Sequence, residues 1–205
     1  MRAIFEEYTD MIEPLSLDEA YLDVTESSGA HVTATRIAKE IRAKVEDELD
    51  ITVSAGVSVN KFIAKVASDW QKPNGLTVVT PEQVDLFVKA LPVQKIPGVG
   101  AGTAQKMHRY GLKTCNDIRD WDLHELIRRF GKFGVVLHER ARGNDERPVQ
   151  PSRTRKSISV ETTFSEDLAG PSVWEPVVDT LFEQLLERIA AANAVDSIHK
   201  AFVKV

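Results

Sequence analysis

The stretch EPLSLDEAYLDVT, Glu13 to Thr25, sets two adjacent carboxylates, Asp18 and Glu19, inside an otherwise apolar, strand-forming run. Leu15 and Leu17 alternate with Ser16, and Tyr21, Leu22 and Val24 favour strands. A strand sends neighbouring side chains to opposite faces. Adjacent acids can therefore serve one site only where the backbone bends. The run predicts a hairpin with strands near 13–17 and 20–24 and the acids at its tip. Acids at a turn are ordinarily just solvated. The other reading is a divalent-cation site, because Mg²⁺ takes hard oxygen ligands, one or two carboxylates completed by substrate phosphates. The hairpin alone leaves both open.

The rest of the chain narrows the fold. Residues 31–49 repeat apolar positions at helical spacing, 51–59 is a β-branched strand, and 60–70 is a second helix with Asn60 as its N-cap. KPNG (72–75) is a turn, LTVV (76–79) a short strand, and Thr80-Pro81 opens a helix over 80–91. Beyond 81 the strand signals cease. Short helices over 101–110, 114–119, 122–130 and 132–142 follow one another across Gly-rich connectors. GNDERPVQPSRTR (143–155) reads as a polar linker. An alternating strand (156–164), a long helix within 171–193 and a last alternating strand (197–205) then predict a β-α-β unit. The class is α+β: a sheet with helices, an all-α segment, and a β-α-β piece.

Charge separates along the same lines. The net charge of −5 would argue against a nucleic-acid partner. Residues 1–80, however, hold 8 Lys and Arg against 14 Asp and Glu, residues 81–156 hold 15 against 9, and residues 157–205 hold 3 against 8. A basic middle between acidic ends says more than the sum. The single Cys115 allows no internal disulfide and no cysteine zinc site. No apolar run approaches the roughly 20 residues of a membrane span, and MRAIFEEYTDM has no signal-peptide core. These observations predict a cytoplasmic protein with no membrane partner.

Two further stretches could carry chemistry. In KIPGVGAGTAQKMHRYGL (95–112), Pro97-Gly98 and Gly100 make a tight turn that opens onto a helix, flanked by Lys95, Lys106 and Arg109. Converging backbone amides and a helix N-terminus suit a phosphate. A dinucleotide fingerprint fails because Thr103 stands where glycine is needed, and no Walker A motif occurs. An ordinary helix–helix turn is the competing reading. In KFIAKVASDWQKPNG, Lys61 and Lys65 lie one turn apart and Lys72 follows the helix, where dipole stabilisation or a triphosphate contact would each account for a lysine. No H-E-x-x-H or G-x-S-x-G is present, and the five histidines are scattered.

In order and spacing, EPLSLDEAYLDVT, SAGVSVNKFIAKVASDWQKPNG, KIPGVG, RFGKFG and RKSISVETTF resemble the Y-family translesion DNA polymerases, most nearly the bacterial DinB-like branch. The resemblance covers essentially the whole chain. It implies a partial palm (1–80), a helical thumb with a helix-hairpin-helix-like turn (81–147), a linker (148–156) and part of a little finger (157–205). It implies that Asp18 and Glu19 bind two catalytic Mg²⁺ ions and that Lys72 touches the incoming triphosphate. It also implies that Gly98, Val99 and Gly100, with Lys106, Arg155 and Lys156, hold DNA. The implied partners are primer–template DNA and deoxynucleoside triphosphates, with a sliding clamp for the parent enzyme and a monomeric chain.

The family pattern also has parts that these residues do not match: a first palm strand with another metal-binding Asp, the fingers, the far half of the little finger and a C-terminal clamp peptide. The chain is therefore expected to be an internal piece of an error-prone polymerase and inactive alone. A non-catalytic DNA-binding module and a palm-type nucleotide cyclase are the alternatives. The expected outcome is that the purified 205-residue chain does not extend a primer with Mg²⁺. Gel-resolved synthesis that disappears in Asp18→Ala would contradict it.

Overall fold

The structure is a computed structural model and describes residues 1–27, 33–152 and 156–192. Helix α1 (Arg2–Glu6) precedes an antiparallel hairpin of β1 (Ile12–Pro14) and β2 (Ala20–Leu22), with Glu13 opposite Tyr21. Helix α2 (Ala34–Leu49) starts at Thr33, whose hydroxyl accepts the Arg36 N–H at 3.2 Å, and stops at Asp50 in the left-handed region at φ 53°. Ile37, Ile41 and Val45 recur every fourth residue and form its buried face. Strand β3 (Ala55–Val57) leads into α3 (Lys61–Ser68), capped by Asn60, whose side-chain oxygen accepts the Ile63 N–H at 3.0 Å. The chain then returns as β4 (Leu76–Val78), parallel to β3. A parallel pair needs such a crossover, and α3 supplies it.

The helical segment follows. A 3₁₀ turn (Pro81–Gln83) runs into α4 (Val84–Lys89), so the helix expected over 80–91 is shorter and begins as 3₁₀. Then come α5 (Ala101–Arg109), α6 (Cys115–Arg119), α7 (Leu123–Phe130) and α8 (Phe133–Ala141). Local signals set their limits. Thr114 accepts the Asp117 N–H, Asp122 accepts the Glu125 N–H at 2.8 Å, and α7 ends on Gly131 at φ 61°.

Residues Met1–Ser152 form one compact unit and Arg153–Val205 a second. Two apolar clusters build the first. Ile4, Ile37, Ile41 and Val45 join α1 to α2. The larger cluster runs from Phe62, Ile63, Val66 and Ala67 on α3 through Val88, Leu91, Met107, Cys115 and Leu126 to Leu137 and Ala141. The segments read from sequence as palm and thumb thus share a core through α3. Burial pushes the Cys115 thiol up to about 12.

In the second unit, the Arg188 guanidinium of α9 (Pro171–Ala191) donates to the Ser159 carbonyl of the preceding loop at 2.8 Å. Residues 156–164 carry no strand. Their alternation states which face a strand would bury, whereas a strand also needs a paired neighbour. The expected partner, 197–205, lies outside the described residues. Helix α1 has no periodic sign in the residues, since five of them span little more than one turn. No described helix is long and apolar enough to cross a membrane.

Close backbone approach fixes β3 against α3. A Cβ on Gly56 would lie 2.0 Å from the Ala64 carbonyl oxygen and 2.4 Å from the Ser68 nitrogen. Gly56→Ala is expected to destabilise the fold by about 2–3 kcal/mol through overpacking. Urea unfolding followed by circular dichroism checks this, and a loss below about 0.5 kcal/mol would mean that strand and helix are not held this close.

Candidate metal and nucleotide site

The hairpin bends where the adjacent acids require it. The amides of Leu15 and Ser16 both donate to the Glu19 carbonyl, at 2.9 and 3.3 Å, closing a turn over 15–19. Leu17 is fully exposed at the tip, so the alternation read through Leu15 and Leu17 belongs to a turn and not to a strand. The Ser16 hydroxyl donates to Asp18 Oδ1 at 2.6 Å. This bond first, then a backbone amide and the fields of Lys72 and Lys65, hold the Asp18 carboxyl below the usual carboxylate range. Glu19 Oε2 accepts from Lys65 Nζ at 2.9 Å.

Asp18, Glu19, Lys65 and Lys72 line one cavity of about 540 Å³, with Ser54, Ser58 and Asn74. The residues of β2 and β3 line it too, so the two small sheets present an edge strand each to the same space. Lys72 pairs with Asp69 at 2.5 Å. That contact first, and then Glu19 and Asp18, raise its pKa, so it stays cationic.

The donor set fits a hard divalent cation. Asp18 is exposed and ionised, and Glu19 stands beside it. Among the described residues no group of three or more His, Cys, Asp or Glu is arranged so that it could hold a metal ion by itself. Two carboxylates leave most of an octahedral shell to phosphate oxygens and water, the usual arrangement for Mg²⁺.

The other candidates lie elsewhere. Gly98 turns at φ 93°, and a Cβ there would meet the Phe133 ring at 3.2 Å. Val99 is buried, and Gly100 caps α5 with open space around it. The first amides of α5 have no partner within the helix. Lys106 is exposed, but its ammonium donates to the Arg129 carbonyl and sits 5.1 Å from the centre of the Phe130 ring. None of these four residues lines the cavity of Asp18 and Glu19. Lys156 is exposed in the second unit, and Arg155 lies outside the described residues.

Residues 1–69 match the impB/mucB/samB family, and residues 94–145 match the thumb domain of DNA polymerase iota. The chain is 54% identical over 202 residues to DNA polymerase IV of Ralstonia nicotianae, covering 98% of this chain and 57% of that protein. It is 52% identical to DNA polymerase IV of Ectopseudomonas mendocina, covering 100% and 58%. The chain belongs to the Y-family DNA polymerases. Solved structures agree. A Y-family DNA polymerase chimera of Dbh and Dpo4 matches at TM-score 0.82 and 30% identity, over 91% of this chain and 54% of that one. DinB from Sulfolobus solfataricus matches at TM-score 0.68 and 34% identity, over 73% and 46%. The Y-family chain spans a little over half the length of the curated relatives it matches.

Several residues that hold this cavity in place gave little or no sequence signal. Lys61 and Lys65, one turn apart on α3, grip the hairpin at its base and tip. Lys61 Nζ donates to Glu13 Oε2 at 2.5 Å and to the Pro148 carbonyl at 3.0 Å, and Glu13 Oε2 also accepts the Gln150 N–H at 2.8 Å. Residues 145–150 are thereby strapped across the base of the hairpin, a contact between positions 137 apart in sequence that no local pattern announces. Asp145, whose side chain is 1% exposed, secures the same strap with Arg140 at 2.7 Å and Arg147 at 2.8 Å. Burial alone would raise its pKa. The hydrogen bonds from Arg147 and Arg140 outweigh this and hold it at about 2, below the ordinary 3.8.

A lowered pKa gives stability that is full above the unfolded value and lost as pH falls through the folded one. The Asp145 contribution, on the order of 2 kcal/mol, is expected to fade between about pH 4 and about pH 2. Urea unfolding of the chain and of Asp145→Asn over that range checks this. The gap between the two should close as pH drops, and a constant gap would refute the assignment.

Proposed function

We propose that the chain carries the metal- and triphosphate-binding part of a template-directed, error-prone translesion DNA polymerase of the DNA polymerase IV type, a cytoplasmic nucleotidyltransferase. The observation that carries this reading is that Asp18, Glu19 and Lys72 line one open cavity. Support comes from the relatives' name and from structural neighbours described as ternary complexes of Dbh DNA polymerase, one at TM-score 0.70 and 29% identity.

In this reading Asp18 and Glu19 would hold two Mg²⁺ ions through their carboxylate oxygens. When bound, such ions would supply the Lewis acidity that a primer 3′-hydroxyl needs as nucleophile and the positive charge that a leaving pyrophosphate needs. Lys72 exchanges Asp69 for a phosphate oxygen of the incoming deoxynucleotide, as a mobile ammonium can. Lys65 offsets the charge of Glu19 until a cation takes over. The backbone amides at Gly98–Gly100 and the start of α5 grip the primer–template backbone without reading bases. Lys106, Lys156 and Arg155 add cationic contacts whose strength falls with salt.

Mn²⁺ titration followed by electron paramagnetic resonance tests the reading. Asp18→Asn and Glu19→Gln are each expected to weaken Mn²⁺ binding by about tenfold or more with the fold intact by circular dichroism. Uptake unchanged by either substitution, alongside retained DNA binding, would favour a non-catalytic DNA module. Weak, salt-insensitive DNA binding would favour a cyclase.

A further inference from the structure

The KPNG turn is held by a cavity-lining residue with no place in the mechanism above. Arg42, halfway along α2, donates from Nη2 to the Asn74 carbonyl at 2.7 Å and to Asn74 Oδ1 at 2.6 Å, and from Nε to the Val53 carbonyl at 3.1 Å. The turn has little freedom left. Asn74 sits in the left-handed region at φ 49°, and the Gly75 N–H donates to Ser54 Oγ at 3.2 Å. A Cβ on Gly75 would lie 2.0 Å from the Gln71 carbonyl oxygen. Lys72 stands inside this closed turn, two residues from the clamped Asn74.

We infer that Arg42 is a positioning residue for the triphosphate. By fixing both oxygens of Asn74 it sets how Lys72 projects into the cavity that Asp18 and Glu19 line. This rests on the reading of Lys72 as a triphosphate contact. A lysine stem has three rotatable donors on a flexible chain, whereas one guanidinium amino group reaches two fixed oxygens while Nε holds Val53. The conservative replacement should therefore restore only part of the effect. A mere fold brace would lower stability but would not distinguish ligands by their number of phosphates.

Calorimetric titration of the full chain with deoxythymidine triphosphate and with deoxythymidine monophosphate, both in saturating Mg²⁺, separates the two. Arg42→Gln is expected to weaken triphosphate binding about five- to tenfold and monophosphate binding less than about twofold, with Arg42→Lys in between. Lys72→Ala should add less than about twofold in the Arg42→Gln background, because both act through one contact. Asn74→Gly, which keeps the positive φ and removes Oδ1, should show a smaller loss in the same direction and serves if Arg42→Gln does not fold. Equal weakening of both ligands, or effects of Arg42→Gln and Lys72→Ala that simply multiply, would overturn the inference while leaving Lys72 in its role. If Lys72→Ala alone leaves triphosphate binding unchanged, or the unsubstituted chain binds none, the reading of Lys72 falls and this inference falls with it.

Discussion

The acidic tip exists because two lysines on one helix face hold the hairpin that carries it. Lys61 is 8% exposed, and a charge that deep persists only when fully satisfied. It meets the Glu13 carboxylate, the Pro148 carbonyl and the face of the Tyr21 ring at 5.0 Å. One turn later Lys65 meets Glu19. The 15–19 turn would otherwise carry two adjacent negative charges on a two-stranded ribbon, which is weak support in water. With both lysines in place, the hairpin is referenced to α3.

Helix α3 is in turn referenced to everything else in the first unit. Its apolar face supplies Phe62, Ile63, Val66 and Ala67 to the core that continues through the helices to Leu137 and Ala141. Its opposite side lies so close to β3 that only glycine fits at 56. One eight-residue helix thus links a charged site to an apolar core, and the Arg140 guanidinium, 5.0 Å from the centre of the Phe62 ring, joins the two chemistries directly. The strap over 145–150 closes the circuit by bringing the end of the helical segment back onto Glu13.

The cavity carries charge of both signs. Two carboxylates, two lysines and Arg42 line it, and the carboxylates and lysines are each already engaged, Glu19 with Lys65, Lys72 with Asp69, and Asp18 with Ser16. Each of these contacts is exposed enough to be exchanged, and exposed pairs contribute little to stability. A site of this kind can take a cation and a polyanion together, by replacing internal partners with ligand atoms of the same charge.

Much of this was legible in the residues. The adjacent acids forced a bend, Asn60 and Thr80-Pro81 marked helix starts, and Asn74-Gly75 marked a turn, because each depends on chemistry within a few positions of itself. The cluster of Asp18, Glu19 and Lys72 was legible only as a resemblance, since 54 positions separate Asp18 from Lys72. The strand expected over 156–164 shows the reverse case, since alternation names a buried face and a strand also needs a paired neighbour, here expected at 197–205, outside the described residues. Sequence by itself determined the family, the order of elements from the hairpin to α8, and which side chains were candidates for chemistry. Tertiary structure alone decided that Lys61 and Lys65 would hold the hairpin, that Arg42 would hold the KPNG turn, and that Lys106 would bend onto Arg129. The physical reason is that a long cation can reach any of several acceptors, and only the packed backbone fixes which one lies within about 3 Å.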